Sequence, residues 1–459
     1  MSMNYLRRIL PVVAAVCFWA GQTAAQQIKL MRFDEDYSQL RDSSRNFYHT
    51  LKFLPITKNK QSYLTFGGEA RIEFGGKINE DWLPGQGFNP SFLQRYSFFA
   101  DVNLSKKMRL FAQLNSGLEN GSKYGPSPVD EDQLAVQNLF LEYRLLQDSL
   151  TRLSVRIGRQ EINYGSGRLI SVREGTTVRQ YFTGGKLSYS KKRFSADAFV
   201  LAADEVDFGV FDNRLLHEPN LWGIYSNLIV LGSGNFDFYY LGINRKQARY
   251  EEGTGKEVRH TVATRYWRSG GGFNYNIEAA YQFGRFGQGN ISAWTTAIEL
   301  GYKFESLKYS PSINLRNDYI SGDGKPGDGR LQTFNPLYPK GGYFGFNPMI
   351  GPANLVDLHP YITMTLSPKL GLQADVVFNW RYSLNDGIYR PSGNFNKGGS
   401  HSSNRYIGTT YLLSADYSFS QRLTLSCGAQ YFKVGAFIND LTPNASDSKF
   451  FNMQLGFKF

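Results

Sequence analysis

The last eleven residues, 449–459, set the tightest limit on what this chain can become. Phe451, Met453, Leu455, Phe457 and Phe459 are apolar, while Asn452, Gln454, Gly456 and Lys458 between them are polar or small. Alternation with period two gives a strand one face for hydrocarbon and one for water. A strand that ends a chain must find a partner, because an open edge leaves N–H and C=O groups unpaired. If its apolar face meets lipid the demand is absolute, since no water is present to substitute. The pattern asks for a sheet closed on itself.

The first residues are consistent with export to such a place. Arg7 and Arg8 precede the apolar stretch 9–20, and Thr23-Ala24-Ala25 supply small side chains before a cut at Ala25–Gln26. A removable secretory signal is expected over 1–25, too short to span a bilayer. Cys17 lies within it after Ala15-Val16, not the small pair a lipoprotein signal requires. Cys427 is then the sole remaining cysteine, which excludes an internal disulfide. Mean hydropathy is −0.38, and no apolar run of about eighteen residues follows the signal, so spanning helices are excluded. Yet the chain holds 29 Tyr, 35 Phe and 47 Gly, a combination produced when only alternate strand residues meet lipid and aromatic side chains gather at its two surfaces.

Period-two segments fall at 61–76, 91–105, 107–118, 135–146, 150–160, 179–190, 192–202, 220–231 and 234–246. They continue at 257–269, 272–284, 290–304, 309–320, 353–366, 370–384, 404–419, 421–434 and 449–459. The expected fold is all-β, a transmembrane antiparallel up-and-down barrel of about eighteen strands. Short turns (Ser105-Lys106, Gln147-Asp148-Ser149, Ser190-Lys191, Gly232-Ser233, Gly270-Gly271) alternate with long connections such as 161–178, 203–219, 321–352, 385–403 and 435–448. Bacterial outer-membrane barrels have this asymmetry, with short turns in the periplasm and long loops outside. The barrel is assigned to 61–459. Residues 26–60, polar and mixed in charge, form a periplasmic lead-in or a plug.

Parity assigns each face. Leu153, Val155 and Ile157 face lipid, which turns Arg152, Ser154 and Arg156 inward. By the same rule Glu69, Arg71 and Glu73 point inward, as do Arg95, Glu142, Arg144, Arg316, Asp318 and Arg381. An arginine facing lipid near mid-membrane would cost ~2–4 kcal/mol. The lumen is therefore expected to be charged and rich in guanidinium. Net charge is +12, or about +10 without Arg7 and Arg8. Such a passage focuses the field on anions, and interleaved carboxylates keep binding weak enough for release.

The residues that carry this pattern also carry a resemblance. Leu30-Met31-Arg32-Phe33-Asp34-Glu35-Asp36-Tyr37 and Gly67-Gly68-Glu69-x-Arg71 begin it. Arg156-x-Gly158-Arg159-Gln160-Glu161-x-x-Tyr164-Gly165 and Gly167-Arg168-Leu169-Ile170-Ser171-x-Arg173-Glu174 form its densest part. Ser321-Gly322-Asp323 and Thr333 through Pro339 complete it. Over essentially the whole mature chain the sequence resembles the alginate export porin family. The resemblance implies an eighteen-stranded barrel whose arginine-rich constriction passes a polyuronate. It implies a pore-lining role for Arg71, Arg144 and Arg156, and places Arg159, Arg168 and Arg173 in a loop folded toward the lumen. No short turn is long enough to gate the passage, so 26–60, 161–178 or 321–352 would have to occlude it.

Enzyme chemistry has no visible seat. The five histidines lack metal-ligand spacing, and Gly165-Ser166-Gly167 is not a nucleophile elbow, since Asn163 stands where glycine is required. Asp323 and Asp328 lack a calcium-loop spacing. Basic residues are spread along strands, unlike a nucleic-acid footprint. The expectation is a passive outer-membrane channel for an anionic polysaccharide, without cofactor or metal. Its partners are that polymer, membrane lipid and the barrel assembly machinery. The alternatives are a general or oligosaccharide-specific porin, or a blocked barrel with binding loops. Arg144→Ala and Arg156→Ala are expected to lower anion preference and blockage by polyuronate.

Overall fold

The computed structural model describes residues 28–42, 46–215 and 220–459; the expected signal at 1–25 lies outside them. Eighteen antiparallel strands close into one barrel. They are β1 (Tyr63–Ile78), β2 (Asn89–Asn103), β3 (Met108–Asn120), β4 (Asp132–Gln147), β5 (Thr151–Gln160), β6 (Phe182–Lys191), β7 (Phe194–Ala203), β8 (Leu221–Val230) and β9 (Gly234–Tyr250). The second half comprises β10 (Gly253–Gly270), β11 (Phe273–Phe286), β12 (Gly289–Lys303), β13 (Ser312–Ile320), β14 (Leu355–Ser367), β15 (Leu370–Arg381), β16 (Tyr406–Ser418), β17 (Leu423–Val434) and β18 (Ser448–Lys458). Each pairs with its sequence neighbours, and β18 returns to β1 from Ile78↔Lys449 to Glu69↔Lys458. Phe459 completes the seal by exchanging two backbone bonds of 3.1 Å with Gly68. The cylinder is closed, as lipid requires.

The expected strands are recovered, and short and long connections alternate except at β9–β10 and β11–β12, each closed by a two-residue turn on the long-loop side. β9 and β10 run four residues further toward each other than alternation predicts, meeting at a tight turn at Glu251-Glu252. Residues 246–256 are mostly polar, and Ala248 and Tyr250 among them are buried in a small cluster with Phe286 and Tyr389. Above the membrane no lipid face is needed, so the hydrogen-bonded ladder continues where its hydrophobic signature has stopped.

Parity holds on the outside. Phe98, Leu141, Ile157, Ile224, Val262, Ile313, Leu413 and Met453 are all exposed, a belt far larger than a water-soluble surface tolerates. Aromatic pairs mark both rims: Phe236–Tyr266 and Phe273–Tyr302 at the short-turn end, Phe74–Phe451 and Tyr411–Tyr431 toward the long loops.

Inside, the wall is less uniformly charged than expected. Inward Phe182, Phe199, Leu201, Leu221, Leu241 and Ile243 are buried on β6–β9. They are covered by two connections that fold into the barrel, 161–181 and 321–354, with Ile170, Leu169, Phe334 and Leu337 in the same apolar cluster. The two connections are stitched together by Ser171 N–H to Tyr338 O, Tyr338 N–H to Leu169 O and Lys340 N–H to Gly167 O, each 2.9 Å. Period-two parity states which side chains turn inward; it does not state whether they meet water or another part of the chain.

The N-terminal segment uses a second apolar patch. Phe33 packs edge-on against inward Phe111 and Phe140, at 5.7 and 5.3 Å between ring centroids. Arg32 bonds the Gly68 and Phe459 carbonyls at 2.9 and 2.8 Å, at the seam where the barrel closes. A short helix α1 (Phe47–Lys52), capped by the Asn46 side chain, then leads to β1.

At the long-loop end Arg381 is fully buried and donates to the carbonyls of Leu384, Asp386, Gly399, Ser402 and Asn404. Its guanidinium lies 4.0 Å from the Phe437 ring centre. Arg381 thus gathers 382–405 over the mouth. Each of the five carbonyls orphaned by Arg381→Ala costs ~1 kcal/mol or more, so the variant should lose on the order of 5 kcal/mol locally and become cleavable by protease within 384–404. Unchanged protease resistance would show that the loop is held by other contacts.

Candidate pore-lining site

The inward charges of β1–β5 form pairs. Arg109 is bidentate to Asp101 at 2.7 and 2.8 Å. Arg156 reaches Glu142 at 2.6 Å and is sandwiched between the rings of Phe33 and Phe140, 4.4 and 4.2 Å from their centres. Arg144 lies 3.9 Å from Glu142 and donates to the Lys106 carbonyl. Across the barrel Arg316 pairs with Glu299 at 2.9 Å. Arg168, from the lumen loop, is bonded to Asp318 and lies 3.8 Å from Glu278. Arg168 and Arg316 flank the Tyr343 ring at 4.5 and 4.9 Å. Most wall guanidiniums are therefore compensated, and several serve to hold inserted segments.

One predicted lumen residue lies elsewhere. Arg159 is opposite Leu139, on the parity of lipid-facing Ile157. It pairs with Asp204 at 2.7 Å and stands over the Tyr181 ring. Gly158, at φ +129°, precedes it, but the register does not slip, so Arg159 braces the outer rim instead of the passage. Arg381 lies beneath the 382–405 loop. Arg152 is exposed at the short-turn mouth. There a cavity of about 540 Å³ gathers Arg41, Lys106, Lys107, Arg144 and Arg152 against Asp36 and Asp148.

The tip of the 161–181 connection meets β1, β2 and β18. Arg71 donates to the carbonyls of Glu174, Gly175 and Thr176 at 2.9, 3.3 and 2.9 Å. Arg95 lies 3.3 Å from the Glu174 carboxylate and 3.4 Å from Glu69. Arg179 and Lys458 approach Glu174 at 3.2 and 3.7 Å, and Lys458 also reaches Glu69 at 3.7 Å. Burial would push the Glu174 carboxyl up, but Arg95, Arg179, Lys458 and Arg71 hold it well below the usual carboxylate range. Alternation puts Lys458 on the polar face of the last strand but does not reveal this role for it or for Arg179. The strand expected from 179 begins only at Phe182, so Arg179 lies on a loop where parity has no meaning, and Lys458 meets Glu69 because barrel closure brings β18 to β1.

Arg173 and Lys340, like exposed Lys325 and Arg330 on the same inserted connections, have no carboxylate within ion-pair distance among the described residues. Arg173 sits at the turn of the tip with φ 54°. Burial lowers its pKa, with nearby Arg245 adding to the effect against Tyr338. Lys340 keeps an exposed side chain, yet desolvation by its surroundings, then Arg316 and Arg168 against Glu299, lower its pKa. No group of three or more candidate metal ligands occurs among the described residues.

The signature described as alginate export matches residues 62–452. No curated protein sequence matches the chain. Among solved structures it resembles Acinetobacter baumannii OccAB1, with a TM-score of 0.58 at 10% identity over 89% of this chain and 99% of that one. A. baumannii OccAB4 gives 0.55 at 13% identity, covering 88% and 100%. Pseudomonas aeruginosa OccK2 (OpdF), solved in complex with glucuronate, gives 0.53 at 10% identity, covering 86% and 96%. At these identities the likeness is one of fold.

Proposed function

The chain belongs to the alginate export family, and from that premise we propose that it conducts an anionic polysaccharide of alginate type through a cation-lined lumen. The protein is an outer-membrane β-barrel channel. Its short turns face the periplasm, as in barrels of this build. The observation that carries the polyanion reading is the imbalance in the inserted loops: Arg173 and Lys340 sit on the two connections that fold into the barrel, without acidic partners among the described residues. The wall pairs around them keep the field moderate, which suits release as much as capture. At the periplasmic mouth, five cations facing two carboxylates concentrate a polyanion before it enters. Arg71, Arg95, Glu69, Arg316 and Asp318 support the pathway by fixing the loops that carry the exposed charges. Arg144 and Arg152 act at the mouth, and Arg156 with Glu142 anchors the N-terminal segment.

Single-channel recording of the purified mature protein in a planar bilayer tests this reading. Anion-selective reversal potentials and blockage by an oligomannuronate, with little blockage by a neutral malto-oligosaccharide, are the expected results. Equal blockage by both sugars would overturn it. A second reading, a channel for short uronates, draws on the glucuronate held by the OccK2 neighbour. Monomeric uronate would then block as effectively as the oligomer. For the remaining partners, lipid would surround the apolar belt, and β18 with its terminal Phe459 would be the strand received by the barrel assembly machinery.

A further inference from the structure

We propose that Arg95, Arg179 and Lys458, beside the loop-gripping Arg71, form a carboxylate-binding subsite for the transported uronate, occupied at rest by Glu174 as a built-in stand-in that the passing sugar displaces. This rests on the polyuronate reading and adds to it a defined subsite and a competitor within the chain.

Glu174 differs from the other acids of the lumen. Glu142, Glu161 and Asp318 have side chains 8%, 1% and 0% exposed, and the first two have guanidinium partners at 2.6 and 2.9 Å. The Glu174 side chain is 37% exposed although cations surround it, and its contacts are looser, at 3.2 to 3.7 Å. A carboxylate held by several long contacts and open to water on one side is built to exchange. Its partners are imperfectly satisfied. Arg95 and Arg179 are 2% and 5% exposed; the Nε–H of Arg95 has Glu69 at 3.4 Å and that of Arg179 has Glu161 at 2.9 Å, both off the axis of a good hydrogen bond. Buried guanidinium donors so poorly aligned gain from a better-placed acceptor. A uronate carboxylate, with two oxygens free of the constraint of a loop, is the planar acceptor that a guanidinium fork fits best.

The tip need not unfold for the exchange to occur. Arg71 grips it through the backbone carbonyls of residues 174–176, independently of the Glu174 side chain. The carboxylate can swing away while the loop stays in place. At rest the stand-in shields the cation cluster from small anions; a uronate chain at high local concentration replaces it one residue at a time.

The test is Glu174→Gln, recorded in planar bilayers with an oligomannuronate as blocker and a neutral malto-oligosaccharide as control. Removing the competing charge should lower the half-blocking concentration of the uronate about tenfold, the size of a modest ionic coupling, and leave the neutral sugar unchanged. Glu174→Asp, which keeps the charge, should behave like wild type, and Arg95→Gln should raise the half-blocking concentration. An unchanged or higher half-blocking concentration in Glu174→Gln, in protein that still shows folded-barrel mobility on a gel, reduces Glu174 to a structural pin. If wild type itself is not blocked by uronate, it is the transport reading that fails.

Discussion

Arg173→Ala combined with Lys340→Ala should cut the anion-to-cation permeability ratio roughly tenfold. A unit charge about 5 Å from a permeating ion in water contributes ~0.8 kcal/mol, roughly fourfold in local concentration, so two such charges together exceed tenfold before screening. The wall arginines cannot match this. Arg156 and Arg168 each sit beside a carboxylate whose field opposes theirs at the pore axis. The double variant should fold normally, because the 161–181 and 321–354 ladder is made by backbone groups that both substitutions leave in place. Reversal potentials in a salt gradient measure the effect. Selectivity that survives both substitutions would transfer the role to the paired wall and count against these two cations as the source of anion preference.

Removing residues 26–42 from the mature chain should enlarge single-channel conductance in distinct, uniform steps. The described part of this segment enters from the short-turn end. Arg109 donates to the Phe33 carbonyl at 2.6 Å, Arg32 pairs with Glu35 at 2.8 Å, and Arg179 reaches the Leu30 carbonyl at 3.1 Å. The segment thus extends from the closing seam to the loop that bears Glu174. Phe33 is 3% exposed, and Phe33→Ala alone should loosen the segment by about 3 kcal/mol through lost burial and an unfilled space between Phe111 and Phe140. That point variant should give flickering between two conductance levels, where the deletion gives one. Conductance unaffected by either change would mean that the segment lies beside the ion path and not across it. The barrel should assemble in both, since every strand from β1 onward keeps its partners.

The chain order of apolar and polar residues was enough to place every strand, because a barrel wall in lipid imposes one rule everywhere: hydrocarbon outside, the other face within. Departures came where lipid stops imposing it. β9 and β10 continue above the membrane without alternation, and β13 starts at Ser312, later than the expected 309, because Tyr309 and Ser310 adopt φ of 69° and 40° in the turn. The arginines of the candidate site were visible as inward positions, but not their duties. Arg71 and Arg159 are both arginines near the rim of a glycine-rich stretch; one grips the lumen loop and the other braces the outer face.

Sequence alone determined a closed, guanidinium-rich cylinder with an aromatic sealing strand, since each of these follows from local alternation and from the cost of an open edge in hydrocarbon. Only the tertiary structure decided which charges neutralise one another and which meet water. That outcome depends on two loops and an N-terminal segment folding back onto apolar patches of the inner wall, contacts between residues more than a hundred positions apart that no local pattern encodes.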